Sequence, residues 1–283
     1  MGSNVLSNRY EFDFKRIQFK DSYHIEYCIT DACDRSCACC SHLAPLAKSP
    51  NFVTVENFAK HAEILRGAIA DAHAFWLTGG EPTLHPQFMR LLGIARNVFN
   101  NCFVGVYSNG NFLKKYENDV GFWEFVRQNG VVWAITSYGG SKEYIDGVFT
   151  KNGCLNNLAY VHSGELFYNL TNYSCNQPVS MEKYNKCGWE RSKINVRNGK
   201  IFNCPSAEFV DLFNNYFKLN VKLCKNDFLE INGQLTAEMI KNFKGPVPFC
   251  GNCDLTQRYK KIFKNSPSKR EIGEWSTFNQ EIE

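Results

Sequence analysis

Between residues 24 and 140 the chain repeats one pattern: a short apolar run, a stop rich in glycine or cysteine, then a stretch with helical periodicity. HIEYCI (24–29), HAFWLTGG (73–80), CFVGVYSNG (102–110) and VVWAITSYGG (131–140) read as strands. After the first, Thr54 caps a predicted helix that places Val55, Phe58, Ala62, Leu65 and Ile69 on one face. HPQFMRLLGIARNVF follows the second, with Pro86 expected in the first helical turn, and DVGFWEFVRQNG follows the third, closed by Gly130. A short helix over about 141–148 and a strand over about 158–169 extend the series. Strands alternating with helices pair in parallel through right-handed crossovers, which leaves an open doubly wound sheet or a barrel. In either, ligands collect where strands end. The cysteine-rich stretch, TGGEP, YSNG and TSYGG all fall there.

Beyond residue 180 the rhythm changes. SKINVRNGKIFNC reads as two short strands joined by Asn198 and Gly199, both tolerant of positive φ. The division expected is 20–180 for the α/β unit, 181–262 for a smaller cysteine-bearing unit, and 263–283 for a polar tail in which Trp275 anchors. With 44% hydrophobic residues the chain can bury a core. A net charge of +4, carried by scattered Lys and Arg, does not favour nucleic acid as a partner. No run of about 18 apolar residues suits a membrane span, and the first residues lack the apolar centre of a secretion signal. A cytoplasmic protein is expected, in which thirteen cysteines are better read as metal ligands than as a disulfide framework.

Five of those cysteines lie between residues 28 and 40, in CITDACDRSCACC. Cys33, Cys37 and Cys40 have the spacing C-x3-C-x2-C; Cys28 lies within the strand and Cys39 beside the last ligand. Three thiolates on one loop can hold three corners of a cubane and leave one iron open. The competing reading is a structural zinc completed by Cys28 or His42. Further on, Cys187, Cys204, Cys250 and Cys253 supply four more thiols, which suit a tetrahedral zinc or a fully ligated 4Fe-4S cluster equally on chemistry alone.

The cysteine loop together with GGEP after the second strand resembles the radical S-adenosylmethionine (SAM) superfamily. That resemblance implies a partial (β/α)6 TIM-like barrel, with a 4Fe-4S cluster on Cys33, Cys37 and Cys40 whose open iron is chelated by SAM. It also implies that Gly79, Gly80 and Glu81 lie along the methionyl end of SAM, and that Ser108, Asn109 and Ser137 contact it further along. The position before the third ligand is usually aromatic in the family, abutting the adenine; here it is Cys39. Cysteine, G-x4-C, then C-x2-C is similar to the SPASM and twitch auxiliary-cluster modules. No cysteine follows Cys253, so the shorter twitch form, with one second 4Fe-4S cluster on Cys187, Cys204, Cys250 and Cys253, fits better. Cys175 and Cys224 are alternative ligands for that set.

The family implies reductive cleavage of SAM to a 5′-deoxyadenosyl radical, fed by a low-potential donor such as flavodoxin or ferredoxin, and hydrogen abstraction from substrate. A small polar substrate of sugar or amino-sugar type is the leading expectation, oxidised with the second cluster as electron acceptor, as in a twitch-bearing dehydrogenase acting on an aminoglycoside precursor. Peptide modification of the maturase or epimerase kind is the alternative, and a non-catalytic metal-binding or electron-transfer protein the distant one. The sequence assigns no catalytic side chain. Cys28, Cys39, Cys102, Cys154, Cys175 and Cys224 read mostly as small buried hydrophobes, any one of which can donate hydrogen if it faces substrate.

Overall fold

A computed structural model describes residues 23–161, 166–168, 173, 178–187, 193–253, 262–264 and 266–276. Four βα units and a fifth strand open the fold: β1 (Tyr23–Thr30), α1 (Val55–Ala68), β2 (Ala72–Gly79), α2 (Phe88–Val98), β3 (Phe103–Ser108), α3 (Leu113–Tyr116), α4 (Val120–Asn129), β4 (Val132–Thr136), α5 (Lys142–Lys151) and β5 (Leu158–Val161). There follow β6 (Leu166–Tyr168), α6 (Met181–Lys186), β7 (Lys193–Arg197), β8 (Lys200–Phe202), α7 (Pro205–Glu208), α8 (Val210–Phe217), β9 (Phe228–Glu230), α9 (Ala237–Phe243) and β10 (Ile262–Lys264).

Local signals set the helix ends. Thr54 accepts the Asn57 N–H at 3.2 Å, and Gly130 closes α4 at φ 58°. Pro86 does not open α2: it lies before the first turn, where the His85 ring accepts the Gln87 N–H at 3.0 Å. Asn198 and Gly199 adopt φ of 52° and 72°, as a two-residue hairpin requires.

The α/β architecture is an open sheet of eight strands in the order β5-β4-β3-β2-β1-β7-β8-β9. Pairing is parallel from β5 to β7 and antiparallel from β7 to β9. The hairpin therefore extends the main sheet: β7 lies against β1, with Glu26 opposite Asn195. Of the expected strand over 158–169, the described parts are β5, in the main sheet, and β6, which pairs antiparallel with β10 in a separate two-stranded sheet.

Alternation within the strands sorts two faces. Ile25, Tyr27, Phe75, Leu77, Val104, Val106, Trp133 and Val196 join the main core beneath the helices. The opposite face carries Glu26, Trp76, Thr78, Tyr107, Lys193, Asn195 and Arg197, a far more polar set. Gly105 is needed there, because a Cβ would stand 2.4 Å from the Trp76 ring. A second core, including Leu43, Leu46, Phe202, Phe209, Phe213, Phe249 and Trp275, joins the cysteine loop to α7 and α8. Among the described residues, no helix is long and apolar enough to cross a membrane.

Candidate active site

β1 ends at Thr30 and the cysteine loop begins there, beside the ends of β2 and β3. The contact between β1 and β2 demands glycine. At Gly79 (φ 140°) a Cβ would stand 2.2 Å from the Thr30 carbonyl oxygen, and at Gly80 it would stand 2.2 Å from that of Ala32. In their absence the backbones bond directly, Gly80 N–H to Thr30 O at 2.9 Å and Glu81 N–H to Ala32 O at 2.7 Å. These glycines thus serve the protein's own packing, whatever ligand also approaches them.

Glu81 is fully buried and engaged. Its carboxylate accepts the Thr83 hydroxyl at 2.7 Å, the Ser108 hydroxyl at 3.0 and 3.1 Å, and the Asn109 N–H at 2.8 Å. Burial pushes its pKa up against those hydrogen bonds. The Asn109 amide donates to Asp34 at 2.7 Å and reaches the Cys33 sulfur at 3.8 Å. Glu81, Ser108, Asn109 and Cys33 therefore form one connected group across three strand ends. Ser137, one residue past the end of β4, lies at the same edge of the sheet and is half-buried. Its neighbour Tyr138 accepts from the Cys37 thiol at 3.9 Å and lies under the Arg35 guanidinium at 3.8 Å.

Cys33, Cys37 and Cys40 are half-buried. Backbone N–H groups turn towards two of their sulfurs: that of Arg35 to Cys33 at 3.4 Å, and those of His42, Leu43 and Ala44 to Cys40. Such donors favour the thiolate that a metal needs, while burial works against it, raising Cys40 and pushing Cys33 up to about 12. Among the described residues no three His, Cys, Asp or Glu side chains are close enough to share one ion. Three thiols on one loop suit a polynuclear cluster, whose separate irons take separate thiolates. Cys39 is buried at φ 56° and lies near enough to Tyr173, a member of the second core, to raise its phenol.

The tail clasps this loop. Ala38 N–H donates to Ser266 O at 2.9 Å, Ser268 N–H to Ser36 O at 2.7 Å, and the Trp275 indole to the Cys40 carbonyl at 3.0 Å. From the other side Arg197 braces its base. The guanidinium bonds both Asp31 oxygens at 2.9 and 3.0 Å, both Asp211 oxygens at 2.7 and 3.0 Å, and Glu208 O at 2.9 Å. Neither clasp carries a local sequence signal.

The second cysteine set also converges. Cys187 follows α6, Cys204 caps α7, and Cys250 and Cys253 flank a tight turn. Burial first, then Cys250, Cys253 and Cys187, raise the Cys204 thiol, which places all four within electrostatic reach. Cys224 is exposed, and Cys175 lies outside the described residues. Cys28 and Cys154 are buried.

On the polar face, Lys193 lies 2.8 Å from Glu26 and His24 lies 3.9 Å from it. Burial would raise Glu26, but Lys193 and His24 outweigh it and hold the carboxyl low. Burial, helped by Lys193, His73 and Lys244 against the pull of Glu26, carries His24 down to about 4. Above them Thr78 meets the His42 ring at 3.3 Å.

Comparison with known proteins now bears on this arrangement. The stretch from 27 to 133 matches the Radical SAM superfamily. That stretch holds all three loop cysteines and the Glu81 network. Among solved structures, BtrN in complex with AdoMet and 2-DOIA is similar over 86% of this chain and 99% of its own, at 17% identity and a TM-score of 0.53. That likeness is one of fold. SuiB from Streptococcus suis, bound to precursor peptide SuiA, matches at 13% identity and a TM-score of 0.37, covering 69% of this chain and 64% of its own. No curated protein matches the chain. The matched stretch runs from β1 into β4, with the loop cysteines and the Glu81 network at one edge of the sheet.

Proposed function

We propose that this radical SAM protein oxidises a small polar molecule of sugar or amino-sugar type. A 4Fe-4S cluster and SAM supply, when bound, a 5′-deoxyadenosyl radical that takes hydrogen from an unactivated C–H bond. In this reading Cys33, Cys37 and Cys40 hold the cluster, the Gly79–Glu81 turn and Ser108, Asn109 and Ser137 line the SAM site, and Cys187, Cys204, Cys250 and Cys253 hold a second cluster within a 181–262 unit. Because Glu81 is saturated by Thr83, Ser108 and Asn109, it shapes the SAM site by fixing those loops. The second core links the cysteine loop to the elements around Cys204 and Cys250, so packed protein connects the two sets of thiols.

The observation that carries the substrate class is the polar face of the sheet below the loop. Glu26, Lys193, Asn195 and Thr78 offer charged and neutral hydrogen-bonding groups where an apolar substrate would find few partners. BtrN, whose fold this chain shares over nearly its whole length, binds 2-DOIA alongside AdoMet, which supports a small ligand at the same place.

Anaerobic reconstitution, reduction and incubation with SAM tests the reading. About eight irons per chain and released 5′-deoxyadenosine are expected. About two zincs with intact SAM would contradict it.

A further inference from the structure

Buried charge on the polar face of the sheet does not balance. Two of its carboxylates have cations of their own: Glu26 has Lys193 at 2.8 Å, and Asp31 has Arg197 at 2.9 and 3.0 Å. Glu208, the last residue of α7, is only 5% exposed, and among the described residues its Oε1 is buried without a hydrogen-bond partner. Arg197 is the cation whose charge bears on it. Every N–H of that guanidinium is already engaged, by Asp31, by Asp211 and by the Glu208 carbonyl oxygen, so none is left for the Glu208 carboxylate.

Glu208 lies on the face that carries Glu26. α7 packs on β7 and β8, and the Glu208 charge acts on Cys28, which stands two positions beyond Glu26 and so on the same side of β1. Burial pushes the Glu208 carboxyl well up, against the pull of Arg197, and Glu26, Asp31 and Asp211 add to the rise. Asp211 escapes the same difficulty because its side chain is 47% exposed to water. With three carboxylates in electrostatic reach and its one cation committed elsewhere, Glu208 marks the point on this face where an added positive charge is most favourable. Thr78 and the Glu26–Lys193 pair offer hydrogen-bonding partners for hydroxyl groups on the same face.

We propose that Glu208 anchors the substrate by pairing with a protonated amino group, so that the substrate is an amine-bearing sugar or cyclitol rather than a neutral one. A carboxylate buried without a partner is unfavourable, and an ammonium group carried in by the substrate supplies both the missing charge and the N–H donors. The ligand-free protein holds that unfavourable arrangement and the substrate relieves it, which turns the imbalance into selectivity for amines over their hydroxyl analogues. The inference rests on the small polar substrate proposed above and narrows its class.

The test is calorimetric titration of the reconstituted, SAM-loaded holoenzyme with hexosamines and aminocyclitols, each beside its hydroxyl and N-acetyl counterparts. The wild type should bind at least one amine about tenfold or more tighter than its neutral counterparts, the range a charge-assisted hydrogen bond supplies. Glu208→Gln keeps the shape and removes the charge, so it should bring amine and neutral ligands within about threefold of each other while SAM binding is unchanged. Glu208→Asp should keep part of the preference. In urea, the ligand-free Glu208→Gln holoprotein should unfold at the same denaturant concentration as the wild type or a higher one, because no partner is lost. Equal affinity of the wild type for amines and neutral analogues, a preference that survives Glu208→Gln, or a lower urea midpoint in that variant would each overturn the assignment. Binding of neither amines nor neutral sugars and cyclitols would instead remove the small-substrate reading, and this inference with it.

Discussion

Replacing Arg197 by Met should be among the most damaging single changes in this protein. Arg197 and Asp31 are 4% and 3% exposed, and the guanidinium forks onto both oxygens of Asp31 and of Asp211. Removing the cation leaves Asp31 a buried carboxylate without its partner, a situation that costs about 3–5 kcal/mol. Asp211, whose side chain is 47% exposed, regains water, so its share is about 0–1 kcal/mol. Asp211→Asn should therefore lose no more than about 1 kcal/mol, far less than Arg197→Met. Pairing Arg197→Met with Asp31→Asn should recover part of the loss, since the stranded charge is gone. Because Asp31 stands two residues before Cys33 and its N–H bonds Asn51 O at 3.1 Å, Arg197→Met should also lower the iron retained after reconstitution. Anaerobic urea unfolding of the holoprotein gives the energies. A cost near 1 kcal/mol for Arg197→Met, or equal costs for Arg197→Met and Asp211→Asn, would refute the argument.

Two further outcomes follow from the same geometry. Gly80→Ala must displace the Ala32 and Asp31 carbonyls, which lie 2.2 and 2.8 Å from the new Cβ, so a destabilisation of about 1–3 kcal/mol should accompany at least a tenfold loss in SAM binding by equilibrium dialysis. His24, held down to about 4 against 6.5 when unfolded, takes up its proton first in the unfolded chain. Through His24, acidification from 6.5 to 4 should therefore remove about 3 kcal/mol of stability, and His24→Phe should flatten the slope of the urea midpoint by that amount.

How far the sequence reveals this depends on the range of each signal. Thr54, Gly130 and Asn198-Gly199 act within a few residues, and their caps and turn form where periodicity and φ tolerance indicate. The convergence of the cysteine loop, TGGE and YSNG on one sheet edge follows from the βα alternation, since parallel strands present the same end together. What escapes is pairing across long stretches of chain. Nothing local in SKINVR says that β7 docks beside β1, or that Arg197 will meet Asp31, 166 positions away. Nor does the tail announce that its Trp275 caps the Cys40 carbonyl. Glu81 marks a further limit: GGEP shows a carboxylate near the site, but its capture by Thr83, Ser108 and Asn109 emerges only when three strand ends are brought together.

The central claim is that the cluster held by Cys33, Cys37 and Cys40 keeps one iron free for SAM. Its most direct measurement is the electron paramagnetic resonance spectrum of the reduced Cys250→Ser/Cys253→Ser variant, with and without SAM. The account predicts a 4Fe-4S signal whose g values shift when SAM is added and which disappears in Cys33→Ala. A signal indifferent to SAM, or one that survives loss of Cys33, would contradict it.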